Sequence, residues 1–152
     1  MDLILWRHAH ALDTLPDIER ELSPKGIKQA QKMARWLNSK LPENCRILVS
    51  PATRTRQTAD ALERKYKIVT DLAPDASALQ VLQAANWPQS KETVLIVGHQ
   101  PTLGLVAASL LLGQEQAFEI RKSYVCWISQ REQENRVQTF LKAMLGPEMA
   151  NK

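Results

Sequence analysis

Four consecutive apolar residues, Leu3-Ile4-Leu5-Trp6, stand almost at the start of the chain, and Arg7 and His8 follow at once. The run is too short for a helix and shows no polar alternation. It reads as a strand buried on both faces, the pattern of a parallel sheet. Arg46-Ile-Leu-Val49 and Glu92-Thr-Val-Leu-Ile-Val97 repeat the pattern, and a helical stretch follows each. Strands alternating with helices predict the α/β class: three layers (α/β/α), a mostly parallel central sheet with helices on both faces. Lys67-Ile-Val-Thr70 adds a short edge strand. Ser123-Tyr-Val-Cys-Trp-Ile128 and Arg136-Val-Gln-Thr-Phe140 alternate around a charged turn. They predict a C-terminal antiparallel hairpin that completes a mixed sheet.

The helices announce themselves by their starts. Ser23-Pro24 is an N-cap followed by proline at the first helical position. Ile27, Ala30, Ala34, Leu37 and Leu41 form the buried stripe, and Leu41-Pro42 ends it. This helix reads as scaffold without chemistry. Ser50-Pro51 repeats the cap device ahead of a helix with Ala52, Thr55, Ala59, Leu62 and Tyr66 on one face. Ser77 caps a helix through Leu79, Leu82 and Ala85, broken at Trp87-Pro88 and Gln89-Ser90. In Gly98-His99-Gln100-Pro101, the glycine permits a sharp turn and the proline suits the first position of an apolar helix over Thr102 to Leu112. Gly146-Pro147 begins a tail expected to fray.

The 152 residues suit a single domain, 1–152, without repeat or linker. The net charge of +4 is scattered rather than blocked, which argues against a nucleic-acid partner. Cys45 and Cys126 match no metal spacing and read as reduced thiols of a cytoplasmic protein. Asp2 and a four-residue apolar run do not make a signal peptide. Leu103 to Leu112 is too short to span a bilayer, so no membrane partner is expected.

Ligands of open α/β sheets bind outside the carboxyl ends of the strands. Arg7 and His8 occupy one such end and His99 another, so two of the three histidines share the same kind of station. Arg54 falls in the first turn of the helix after the second strand, where unpaired N–H groups already favour anions. Arg56 points to a different side. Read singly, Arg7 and His8 fit a plain polar strand end as well as an oxyanion clamp, and Arg54 fits solvent as well as an anion.

Taken together, Leu-Trp-Arg-His-Ala at 5–9, Leu-Val-Ser-Pro-Ala-Thr-Arg-Thr-Arg-Gln-Thr at 48–58 and Val-Gly-His-Gln-Pro at 97–101 resemble the histidine phosphatase superfamily. With Leu-Ser-Pro-Lys-Gly at 22–26 and the short chain, the resemblance is to the SixA branch, over about Met1 to Leu112. It implies a phosphatase in which His8 is the nucleophile and forms a phosphohistidine intermediate. Arg7, Arg54 and His99 would hold the phosphoryl oxygens, Arg54 rather than Arg56 because it fits Ser-Pro-x-x-Arg. Gln100 and His10 join them as substrate-binding residues, His10 at the pocket rim. No metal or cofactor is implied. The neighbouring arginines are expected to hold His8 neutral by lowering its pKa.

The chain lacks the insertion on which many relatives carry an acidic general acid, and Asp71 or Asp75 is left to substitute. Without an acid, phosphohistidine is the chemically easier substrate, since its imidazole departs neutral whereas an alkoxide needs a proton. A phosphohistidine-containing phosphotransfer protein is therefore the expected partner, a small phosphoester the alternative, and a monomer the expected state. Two rival readings are a metal site begun by His8-Ala-His10 and a pocket that binds phosphorylated partners without turnover.

Overall fold

The structure, a computed structural model, describes residues 1–150; Asn151 and Lys152, the end of the expected domain, lie outside the described residues. Strands β1 (Asp2–Arg7), β2 (Arg46–Val49), β3 (Lys67–Ile68), β4 (Val94–Gly98), β5 (Val125–Gln133) and β6 (Arg136–Leu145) form one mixed sheet in the order β3-β2-β4-β1-β5-β6. The first four run parallel, and β5 and β6 are antiparallel, as the alternating C-terminal segments predict. Leu3 to Trp6 are all 0% exposed, which explains a run with no polar position. Leu3 and Leu5 pack with helices α3 (Ala78–Ala84) and α4 (Thr102–Leu112). Ile4 and Trp6 pack on the opposite face with α1 (Pro24–Lys40) and α2 (Thr53–Asp60). The three-layer α/β/α architecture follows from that division. Each such side chain contributes about 1.5–3 kcal/mol on burial.

The parallel register sets the level of the strand ends. Arg7 lies beside Gly98, and Val49 beside Val97. The next residues of the three strands, His8, His99 and Ser50, therefore emerge together. The His8 N–H donates to Gly98 O and the Ser50 N–H to Val97 O, each at 3.1 Å.

Several helical details differ from expectation. Ser23 caps α1 by accepting the Gly26 N–H, but the buried row is Gly26, Ala30, Met33, Ala34 and Leu37, and Ile27 is exposed. The row is offset because Gly26 lies against the main chain of His10; a Cβ there would come within 1.9 Å of His10 O. In α2 the cap position is Ala52 rather than Ser50, whose hydroxyl is engaged elsewhere. That helix ends at Asp60, leaving Tyr66 outside it to donate its hydroxyl to Asp60. Ser77 caps α3 in a capping box with Gln80, but Leu79 faces solvent and Ala78, Val81 and Ala85 are buried. Pro101 takes the cap position of α4, one residue before the first helical residue. The expected frayed tail is instead folded through Ala150. Its N–H and that of Met149 return to Gly146 O, and Ala150 packs against the Ile4–Trp6 face of the core. Among the described residues no helix is long and apolar enough to cross a membrane.

Gly26 is thus where scaffold and strand-end loop touch. Gly26→Ala should overpack this contact and cost about 1–3 kcal/mol, read as a fall of roughly 3–10 °C in the Tm of a thermal melt.

Candidate active site

Arg7 closes β1, His8 follows it, His99 follows β4, and Arg54 sits in the first turn of α2. The structure brings these four together. The His8 and His99 rings lie 5.4 Å apart between centroids, and Arg54 Nη2 is 3.4 Å from His99 Nδ1. Arg7 is near enough for its charge to bear on both rings.

Main-chain groups fix the side chains. The Ala9 carbonyl accepts a hydrogen bond from His8 Nδ1 at 2.7 Å. Because a carbonyl only accepts, Nδ1 carries the proton of the neutral ring and Nε2 presents a lone pair. Thr58 Oγ1 accepts the Ala9 N–H and donates to Arg54 O, tying the loop after β1 to α2. Arg7 Nη1 donates to Ile120 O at 3.1 Å, and Arg54 Nη1 to Asp17 O at 2.8 Å. The Nε atoms of both arginines are buried, without a partner among the described residues. A buried orphan donor costs about 1–3 kcal/mol, and Arg56 Nε, outside the cluster, is a third.

The remaining expected residues divide. His10 lies beside Arg7 on the same groove, its N–H held by Gln29 and its Nδ1 2.6 Å from Ser23 Oγ. That groove, of about 450 Å³, also takes in Lys25 and Lys122. Helix α1 therefore does more than scaffold, since Gln29 and Ser23 fix His10. Gln100 does not join the cluster, because its amide donates to Phe118 O and accepts the Gly104 N–H. Asp71 and Asp75 are exposed, with no hydrogen bond or ion pair into the cluster among the described residues. Arg56 turns back to Thr53. Two other carboxylates stand at the cluster: Asp17, 3.2 Å from Arg54 Nη2 on a 3₁₀ turn over Asp17–Glu19, and Glu119, which lines the groove with Arg7 and whose charge acts on it. Neither its spacing nor its neighbours single Asp17 out in sequence. Ser50, hydrogen-bonded to His99 Nε2 at 2.7 Å, is masked there by its resemblance to an N-cap.

Burial is the largest force on both rings. It pushes His8 down to about 3 against the opposing Ala9 hydrogen bond, with His99, Arg54 and Arg7 adding to the effect. The arginines expected to dominate are thus secondary. His99 is also pushed down to about 3, by burial and then by Arg54, with Asp17 pulling upward. An unfolded histidine takes its proton near about 6.5, so between about 3 and 6.5 the unfolded chain binds more protons than the fold. Stability should accordingly rise with pH across that window and lose this dependence above it. Denaturant melts at pH 5 and pH 7 measure the difference, and NMR should find two histidine rings that do not titrate from pH 5 to 8.

A model of the histidine phosphatase superfamily (branch 1) matches residues 3–77. Phosphohistidine phosphatase SixA of Escherichia coli is 29% identical over 123 residues, covering 75% of this chain and 76% of that one. An uncharacterized protein of Mycobacterium tuberculosis is 34% identical over 114 residues, covering 68% and 70%. In fold, the chain superposes on the protein histidine phosphatase SixA complexed with tungstate with a TM-score of 0.79, at 24% identity and 97% coverage of both chains. The motif order, the fold and the relatives agree: the chain belongs to the histidine phosphatase superfamily, a family of phosphatases, and within it to the SixA branch.

Proposed function

We propose that this phosphatase hydrolyses phosphohistidine on a phosphotransfer protein in the cytoplasm, acting as a monomer through a phosphorylated His8 and without a metal ion. The carrying observation is the state of His8: neutral, its Nδ1 proton given to Ala9 O and its Nε2 presenting a lone pair, beside the buried Arg54 and the half-buried Arg7, whose Nε atoms have no partner among the described residues. In the first step Nε2 attacks phosphorus and the P–N bond of a substrate ring protonated on its other nitrogen breaks, so that the ring keeps the electron pair and leaves as neutral imidazole. In the second, water attacks phosphorus, inorganic phosphate departs and His8 is regenerated. Arg7, Arg54 and His99 surround the group that gains charge, where preorganised donors contribute most. The tungstate found in the SixA relative has the shape and charge of such a group.

The substrate class rests on the proton supply. The carboxylate paired with Arg54, Asp17, is held below the usual range: slight burial raises it, but Arg54 and Arg20 outweigh that. It is ionised at neutral pH and cannot protonate an alkoxide. A phosphohistidine needs no such donor, because its ring takes a proton from solvent on the nitrogen that does not carry phosphorus and then leaves as neutral imidazole.

A panel in EDTA-containing buffer tests this, comparing a phosphohistidine protein, a phosphoserine peptide and sugar phosphates. The phosphohistidine protein should show the highest kcat/KM, and a sugar phosphate ahead of it would overturn the assignment. Label from the substrate should survive an alkaline quench on His8, disappear in acid, and be absent from His8→Ala. A serine- or aspartate-bound label would contradict the nucleophile. Arg54→Ala should lower kcat/KM by roughly a hundredfold or more, the scale for one transition-state donor. Arg56→Ala should stay within about threefold, since its guanidinium turns back to Thr53 on its own helix.

A further inference from the structure

The end of β2 holds a hydroxyl that the steps above leave without a task. Ser50 is 0% exposed, and its Oγ lies 2.7 Å from His99 Nε2. Its main chain is fixed on both sides, the N–H donating to Val97 O and the carbonyl accepting from Thr55 Oγ1. The Oγ also receives the Ala52 N–H at 3.3 Å. One lone pair is thereby engaged, leaving one lone pair and one proton to offer His99.

The other ring nitrogen, Nδ1, faces Arg54 Nη2 at 3.4 Å. Arginine can only donate, so in the empty site Nδ1 presents its lone pair and the Nε2 proton points to Ser50 Oγ. A bound phosphoryl group reverses the demand. Its oxygens only accept, and a bare Nδ1 would repel the one that draws Arg54 away. A hydroxyl can meet both states, accepting from Nε2–H in one and donating O–H into a bare Nε2 in the other. A carbonyl or an amide N–H could serve only one.

We propose that Ser50 is the positioning residue of His99: its hydroxyl reverses its hydrogen bond when a phosphoryl group binds, so that His99 meets the phosphoryl oxygen through a protonated Nδ1. The inference deepens the phosphatase reading and rests on it for the identity of the ligand. The proton balance is closed. Nε2 releases one proton to solvent, Nδ1 takes one from solvent, and the ring remains neutral in both states.

Tungstate serves as the probe on the full chain with ¹⁵N-labelled histidine, so that binding is read apart from turnover. On saturation, His99 Nδ1 should pass from bare to protonated in its nitrogen shift and Nε2 the reverse. Ser50→Ala should weaken tungstate about tenfold or more, the scale of a lost hydrogen bond to a charged site, whereas Ser50→Thr, which keeps the hydroxyl, should stay within about threefold of the parent. If Ser50→Ala does not fold, Ser50→Cys carries the same comparison with a weak S–H donor in place of O–H. The proposal is overturned if Nε2 keeps its proton in the tungstate complex or if the hydroxyl-free variant binds tungstate like the parent. A ring that switches in a protein that never labels His8 sinks the reaction scheme and spares Ser50; labelled His8 beside an unswitched ring does the reverse.

Discussion

The parallel pairing of β1 and β2 on either side of β4 determines where every reactive group stands. Because Arg7 is level with Gly98 and Val49 with Val97, three chain segments leave the sheet in the same plane. A one-residue slip in either ladder would turn alternate side chains to the other face and separate the two histidines. What prevents the slip is the apolar character of both faces of β1. Leu3 and Leu5 belong to the core under α3 and α4, Ile4 and Trp6 to the core under α1 and α2, and neither pair fits a polar environment. Trp6 adds a directional constraint, since its indole N–H donates to Ser123 O at 3.1 Å. The Ser123 N–H in turn meets the carbonyls of Arg7 and His8, so the loop before β5 is fastened to the strand end that it covers.

Onto that frame the chain places cations at a cost. Arg54 is 5% exposed, and its charge and that of Arg7 oppose one another across the site. Isolated buried charge is expensive, and the two histidines avoid it by staying neutral. Arginine has no such escape. For Arg54 the 11–22 loop supplies compensation, with the Asp17 carbonyl on Nη1 and its carboxylate on Nη2. The carboxylate remains largely exposed. It is therefore the more easily displaced of the two, while the carbonyl keeps the guanidinium oriented.

The parts legible in the sequence were those whose signal is local. Apolar runs without alternation mark the parallel strands, the Ser23-Pro24 start and the Ser77 cap mark α1 and α3, and the strand-end positions of His8 and His99 anticipate that the two rings stand together. The missing parts depend on long-range contact. Ile27 seemed a core residue until Gly26 met the main chain of His10. Ser50 had the look of a cap because Ser-Pro before a helix is one, yet its hydroxyl is taken by a histidine 49 residues away. Asp17 lies in a stretch with no periodicity at all, and only the fold brings it 37 residues across to Arg54. Gln100 shows the converse: beside His99 in sequence, its side chain points into the α4–Phe118 packing.

The depressed proton affinity of His8 raises a chemical question, because a ring near 3 is a weak base and weak bases are weak nucleophiles. The physical causes of the shift answer it. Burial and the charges of Arg54 and Arg7 disfavour imidazolium in the empty pocket. A phosphoryl dianion entering between those arginines contributes a Coulomb term of opposite sign at the same short range, which raises the proton affinity of Nε2. The proposed nucleophile would thereby be kept unprotonated in the empty pocket and strengthened when a phosphoryl group arrives. The Ala9 carbonyl acts in the same direction, since the hydrogen bond it accepts from Nδ1 stabilises positive charge on the ring as the N–P bond forms. Occupancy of the pocket, rather than any residue in isolation, sets the reactivity of His8.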